Sequence, residues 1–227
     1  MSKPIIVFDL DGTLVDTAPD LLDSLNHTLV AGGLAEVDDR AFRRFVGQGG
    51  RIMIERAYNA QQKQLASVEH DRLHDIFLDH YTVNIPGRSL PYPGAVAAMD
   101  RFTDAGYLLA VCTNKYENLA KGLIQALGLS DRFAAITGPE TFGIRKPDPR
   151  HLTETIAKAG GDASRAVMVG DSVTDIDTAK AAGIPVVAVD FGYTDRHVSE
   201  YEPSVVISHY DELTLGMAQK LIEAASR

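Results

Sequence analysis

Cysteine is nearly absent from this chain of 227 residues: Cys112 stands alone. A single thiol excludes an internal disulfide and any metal site built from several cysteines, and it fits a reducing compartment. Long apolar runs are missing as well. No stretch approaches the roughly 20 apolar residues of a membrane span, and the N-terminus reaches Asp9 too soon to hold a secretory apolar region, so the cytoplasm is the expected compartment. Positive charge is in short supply: 22 Lys and Arg stand against 31 Asp and Glu, a formal net charge of -9. That field repels nucleic acid and anionic membranes, so neither is expected as a partner, and an anionic substrate needs local positive charge. Internal repeats and low-complexity segments are also lacking. What remains, 45% hydrophobic and 23% charged residues, is the makeup of a globular chain able to bury a substantial core in one or two domains. Composition leaves the oligomeric state open.

Ile5 to Phe8 form a continuous, β-branched apolar run ending in Asp9, as expected for a strand buried on both faces of a parallel sheet. Similar runs recur at Leu108 to Cys112, Ala166 to Val169 and Ile184 to Val189, with shorter ones at Ala134 to Ile136 and Val205 to Ile207. They alternate with helical periodicity, so the expected fold class is α/β, a doubly wound parallel sheet. Pro93-Gly94, Gly106, Gly128, Gly160-Gly161 and Gly183 punctuate the helices. Asp211 to Ala225 reads as a final amphipathic helix. Between about Pro19 and Ile85 no β-rich run appears and apolar residues recur at helical spacing. An inserted helical domain over residues 17–86 is therefore expected, with 1–16 and 87–227 forming the α/β core.

The chemistry gathers at strand ends. In Asp9-Leu10-Asp11-Gly12-Thr13 two carboxylates with alternate spacing can project to one side, about 6 to 7 Å apart by strand rise. Their repulsion, on the order of 3 kcal/mol at 5 Å and an effective dielectric near 20, becomes attraction once a divalent cation lies between them. Taken alone, the pair also reads as a strand end with turn-forming aspartates. Gly170-Asp171-Ser172-Val173-Thr174-Asp175 repeats the arrangement, however, and ligands of open parallel sheets bind beyond the carboxyl ends of the strands, where both clusters converge. Ligation by carboxylates alone suits magnesium rather than zinc. Thr113-Asn114 follow another strand and offer a hydroxyl and backbone N–H groups to phosphate at a helix N-terminus. Lys146, in Arg145-Lys146-Pro147-Asp148-Pro149, supplies positive charge on a loop stiffened by two prolines. Singly, Thr113 is an ordinary cap and Lys146 an ordinary surface lysine.

These four segments, in this order, resemble the haloacid dehalogenase superfamily over essentially the whole chain. The resemblance implies that Asp9 attacks phosphorus, that Asp11 acts as general acid and then base, and that Thr113, Asn114 and Lys146 bind phosphate. Asp9, Asp11 and Asp171 would ligate magnesium, with Asp175 joining directly or through water. Dehalogenases need no acid at the second aspartate because halide leaves without protonation, so Asp11 favours phosphoryl transfer. The helical insert resembles a cap domain. Its segment Phe45-Val46-Gly47-Gln48-Gly49-Gly50-Arg51 is similar to that of phosphoglycolate phosphatases, which places Gly47, Gly49 and Arg51 in specificity and makes 2-phosphoglycolate the expected substrate. A flexible helix connection accounts for the same segment. A phosphomutase, a pyrophosphatase and a silent phosphate- or partner-binding module are the alternatives.

Four other signals fail. Gly138 and Gly143 begin a P-loop spacing, but Ile144-Arg145 follow where Lys and Ser or Thr are required. Gly47-Gln48-Gly49 begins a dinucleotide fingerprint, but Ile52 holds the third glycine position. His70 to His74 imitates a zinc helix with Asp71 in place of glutamate, and reads as two solvated histidines. Cys112 lacks the arginine of a cysteine phosphatase loop, since Asn118 stands six positions on, and reads as a buried small apolar residue.

Overall fold

The computed structural model describes residues 3–194 and 196–225. In chain order the elements are β1 (Lys3–Phe8), β2 (Val15–Asp16), α1 (Ala18–Ala31), α2 (Asp39–Phe42), α3 (Gly50–Ala60), α4 (Ser67–Asn84), β3 (Leu90–Pro91), α5 (Ala95–Asp104), β4 (Leu108–Cys112), α6 (Glu117–Ala126), β5 (Ala135–Thr137), α7 (Pro139–Phe142), α8 (Pro149–Lys158), β6 (Gly161–Gly170), α9 (Val173–Ala181), β7 (Val186–Val189), β8 (Val205–Ile207) and α10 (Leu215–Ala225). Among them no helix is long and apolar enough to cross a membrane.

Two compact units result: one from the residues up to Asp16 and from Pro91 onward, the other from Thr17–Leu90. The first is built on a six-stranded sheet of order β5-β4-β1-β6-β7-β8, parallel throughout. This is the doubly wound sheet expected from the apolar runs. Side chains alternate across β1 because successive Cβ atoms point to opposite faces. Ile6 and Phe8 enter one layer with Phe102, Val111, Val169 and Tyr210, while Ile5 and Val7 enter the other with Leu152, Ile156 and Ile176. Burial on both faces explains why these strands read as continuous apolar runs rather than alternating ones.

Three boundaries differ from expectation. β6 begins at Gly161 rather than near Ala166, because Gly161 pairs with Lys3 ahead of a register shift to the Ile5–Ala166 pair, and the residues between carry exposed side chains that give no apolar signal. β7 begins at Val186, since Ile184 still closes the preceding helix through its N–H to the Ala179 carbonyl. The C-terminal segment opens with a 3-10 turn at Tyr210–Glu212, and α10 starts only at Leu215.

The helical unit packs α1, α3 and α4 around Leu25, Leu29, Met53, Ile54, Leu73 and Phe77, all buried. Its far boundary lies at Leu90 rather than residue 86. A single carboxylate accounts for that extension: Asp20, in the first turn of α1, accepts from the N–H of Arg88 (2.7 Å) and from the N–H and hydroxyl of Ser89 (2.9 and 2.5 Å). Gly87 has φ +49°, and a Cβ there would stand 2.5 Å from Asp20 Oδ1. His70 lies on the surface with Nε2 3.0 Å from the Arg51 carbonyl. His74, expected to be solvated, is buried instead, because the apolar face of α4 that carries Leu73 and Phe77 turns it inward.

Candidate active site

The order β4-β1-β6 places three strand ends side by side. β1 runs into Asp9, whose N–H still donates to Val169 O (2.9 Å), and β4 runs into Thr113, whose N–H donates to Thr137 O (3.1 Å). β6 ends at Gly170, directly before Asp171. Adjacent parallel strands therefore deliver Thr113, Asp9 and Asp171 to one edge of the sheet.

There the carboxylates of Asp9, Asp171 and Asp175 converge, with one oxygen of each lying within 4.8 Å of the others. Asp171 is fixed from both sides, accepting from the Thr13 hydroxyl at 2.9 Å and from the Tyr193 N–H at 2.7 Å. Space around it is closed to larger residues: a Cβ at Gly12, where φ is +81°, would lie 2.5 Å from its Oδ2, and one at Gly192 would collide with its Cβ. Asp175 sits in the first turn of α9 and accepts from the N–H and hydroxyl of Ser172 (3.1 and 2.8 Å). Lys146 lies between two of these groups, its ammonium 2.8 Å from Asp9 Oδ1 and 2.6 Å from Asp175 Oδ1.

Three carboxylates and one ammonium are thus packed where water has little access. Burial pushes the Asp9 carboxyl up to about 6, against the attraction of Lys146. Burial likewise raises Asp171, and the charges of Asp175 and Asp9 add to the rise. Burial works against the Lys146 charge, but Asp175 and Asp9 outweigh it and hold the ammonium firmly protonated. The deficit of positive charge is the electrostatic signature of a cation site. Asp9 Oδ1, buried and without a hydrogen-bond donor in good geometry, is an oxygen of the kind a metal ion takes, and the all-carboxylate set suits a hard divalent cation.

The structure redistributes the remaining expected residues. Asp11, expected among the metal ligands, keeps its carboxylate outside the convergent group and against Lys115, with Nζ at 3.0 and 3.2 Å. Lys115 was not legible as a site residue, although it follows Thr113-Asn114 directly. Asn114 spends its side chain on the backbone of Lys146: its Nδ2 donates to the carbonyl at 3.0 Å and its Oδ1 accepts the N–H at 2.9 Å. The amide thereby aims the lysine. Thr113 is buried and its hydroxyl accepts the Lys115 N–H at 3.2 Å. The following helix begins only at Glu117, so Thr113 and Asn114 precede the helix N-terminus rather than form it. Gly47, Gly49 and Arg51 belong to the helical unit, where Gly49 has φ +88° and Arg51 donates to Asp71 at 2.8 Å. Cys112 is buried, and burial raises its thiol to about 12, as befits an inert apolar filler.

His151 lies fully buried beside the Lys146 loop, its ring 6.3 Å from that of Phe142. Burial and the Lys146 charge lower it to about 4. Because this folded value lies below the ordinary 6.5, the unfolded chain binds the proton first as pH falls. The stability from a neutral His151 is full above pH 6.5 and is lost as pH falls towards 4. A His151→Leu variant should therefore show a flatter acid limb, with the stability difference between pH 7 and pH 4.5 smaller by about 2 kcal/mol in denaturant titrations. An unchanged slope would show that His151 is not held neutral.

The family profile described as haloacid dehalogenase-like hydrolase matches residues 6–189. The chain is 72% identical over 225 residues to a phosphoglycolate phosphatase of Mesorhizobium japonicum, covering 99% of each. It is 50% identical over 220 residues to a phosphoglycolate phosphatase of Agrobacterium fabrum, covering 97% of this chain and 94% of the relative. A solved structure described as a predicted phosphoglycolate phosphatase from Haemophilus somnus superposes with a TM-score of 0.86 at 28% identity, covering 94% of this chain and 97% of the other.

Proposed function

For a chain that belongs to the haloacid dehalogenase-like hydrolase family, we propose hydrolysis of a small phosphate monoester, 2-phosphoglycolate, through an aspartyl phosphate formed on Asp9. The observation that carries the chemistry is the meeting of Asp9, Asp171, Asp175 and Lys146 at one sheet edge. The choice of substrate is supported by the relatives at 72% and 50% identity.

Phosphate monoesters hydrolyse so slowly in water that accelerations up to ~10²¹-fold are needed, and charge neutralisation with positioning must supply most of it. A carboxylate oxygen of Asp9 attacks phosphorus in line as the bond from phosphorus to the ester oxygen breaks. The leaving oxygen takes a proton from Asp11 and departs as glycolate. Water then attacks the phosphorus while Asp11 takes its proton, and the bond to Asp9 breaks to release inorganic phosphate. An ammonium carries three N–H donors. Lys146 donates one to Asp175 and stands as an ion-pair partner 2.8 Å from Asp9, and a further N–H serves a phosphoryl oxygen beside the Thr113 hydroxyl and the Asn114 N–H. Lys115 holds Asp11 in place, and Asp9, Asp171 and Asp175 would hold magnesium, which when bound offsets the charge on the phosphoryl oxygens. Selection of the leaving group is assigned to the helical unit, acting as a cap.

A panel of esters assayed for phosphate release with magnesium tests the substrate: 2-phosphoglycolate should give the highest kcat/KM, and a higher value for a sugar phosphate or pyrophosphate would replace it. The role of Asp11 is tested by leaving-group dependence. Asp11→Asn should lower kcat on 2-phosphoglycolate by about 10²- to 10⁴-fold, the range of general acid–base catalysis. The fall should be much smaller in the first step with p-nitrophenyl phosphate, whose phenolate leaves without a proton. Equal losses in single-turnover measurements on both esters would remove the acid role.

A further inference from the structure

A second group of charges lies apart from the carboxylate cluster, within the helical unit. Pro19 and Leu22 of α1, Asp39 and Arg40 of α2, Arg43 just beyond it, and Arg88 line a concavity of about 280 Å³. Three guanidinium groups against one carboxylate leave it net positive in a chain of formal charge -9. The concavity is small by the standard of ligand sites, which begin near 300 Å³, so the occupant is compact.

Its arginines are placed by the fold. Arg40 and Arg43 stand three apart along α2 and the 3-10 segment that continues it, and so share one face. The Arg88 N–H is held by buried Asp20, and its guanidinium donates to the Pro19 carbonyl at 3.1 Å. Asp39 has its own partner, Asn26 Nδ2 at 3.4 Å. Arg51, the arginine singled out from the sequence, pairs with Asp71 and is not among the residues lining this concavity. Guanidinium groups are suited to carboxylate and phosphate because their forked N–H donors match two oxygens at once.

We propose that the Arg40–Arg43–Arg88 concavity binds a compact oxyanion, a carboxylate or a phosphate. Two sources share that chemistry: the carboxylate of a substrate, and a free anion acting on the enzyme from outside the reaction. The site is read by binding and does not depend on which ester the enzyme hydrolyses.

The experiment is a titration of the full-length protein with glycolate and, separately, with inorganic phosphate, followed by backbone amide NMR. Saturable shifts are expected at Leu22, Arg40, Arg43 and Arg88 with at least one probe. The Arg40→Gln/Arg43→Gln double variant should weaken them by about tenfold or more, as loss of charge-assisted donors requires. Arg88→Gln should weaken them too, by a route independent of α2. Kinetics with Arg43→Gln separates the sources. A KM for 2-phosphoglycolate that rises about tenfold relative to that for p-nitrophenyl phosphate identifies the substrate carboxylate. A wild-type ratio with anion binding lost identifies a free effector. Absence of saturable shifts at these amides with both probes, or shifts equal in the wild type and the double variant, overturns the site. If 2-phosphoglycolate is not hydrolysed at all, the proposed substrate fails while the titration still decides the concavity.

Discussion

Asp9→Asn should lower kcat for phosphate release by at least about 10⁴-fold, the scale on which removal of a nucleophile acts when the surrounding site is left in place. A carboxamide has the shape of the carboxylate but cannot form the phosphoryl bond. The substitution is also informative about the fold. Asp9 ends β1 at the centre of the sheet and lies among two other buried carboxylates, and its carboxyl is raised to about 6 chiefly by burial. Removing one negative charge there relieves repulsion, so metal-free Asp9→Asn should unfold at a temperature no lower than the wild type. The rise in Tm on adding magnesium should shrink, because one ligand oxygen is now neutral. Activity lost together with several degrees of Tm would mean that the residue supports the fold, and undiminished turnover would end the nucleophile assignment.

Lys146→Met should produce the largest change in stability. Lys146 is 97% buried, and its ammonium lies within 2.8 Å of two carboxylates. Removing one partner of a buried charge group leaves the others uncompensated, at a cost of about 3–5 kcal/mol. Methionine fills a similar volume, so the loss is electrostatic rather than a cavity effect. Denaturant unfolding of the metal-free protein should show that loss, and saturating magnesium should recover part of it by supplying positive charge to the same oxygens. Turnover with magnesium should remain lower by about 10²- to 10³-fold, as for deletion of one preorganised donor to a developing charge. A stability within about 1 kcal/mol of the wild type would show that the lysine and the carboxylates are solvated, contrary to the packing described.

The strands of the core were legible because burial on both faces leaves a mark in each run separately. Ile5 to Phe8 and Leu108 to Cys112 are apolar at every position, and no distant partner is needed to see it. The start of β6 was not legible. Ala163, Ser164 and Arg165 are exposed and fall in the register shift between the Lys3–Gly161 and Ile5–Ala166 pairs, so nothing in their own pattern marks a strand. The acidic strand ends could be read in the same local way, whereas Thr113 and Lys146 stood out only through the resemblance carried by the four segments together. Asn114 is expected at phosphate through its backbone N–H, and no local pattern showed that its side chain would clamp the Lys146 backbone 32 positions away. Lys115, which follows it, gave no sign of its partnership with Asp11, 104 positions distant.

Residue types, their spacing and their punctuation determined by themselves that this chain would form a parallel sheet with carboxylates and a hydroxyl at its strand ends, since strand period and helix stops act over a few residues. Tertiary structure decided which of those groups meet: Thr13 and Tyr193 on Asp171, Lys146 between Asp9 and Asp175, Lys115 on Asp11, and Asp20 on the returning chain. The reason is physical. A buried charge must find its partner wherever the packed chain brings one within about 3 Å, and no local pattern records a neighbour that only folding supplies.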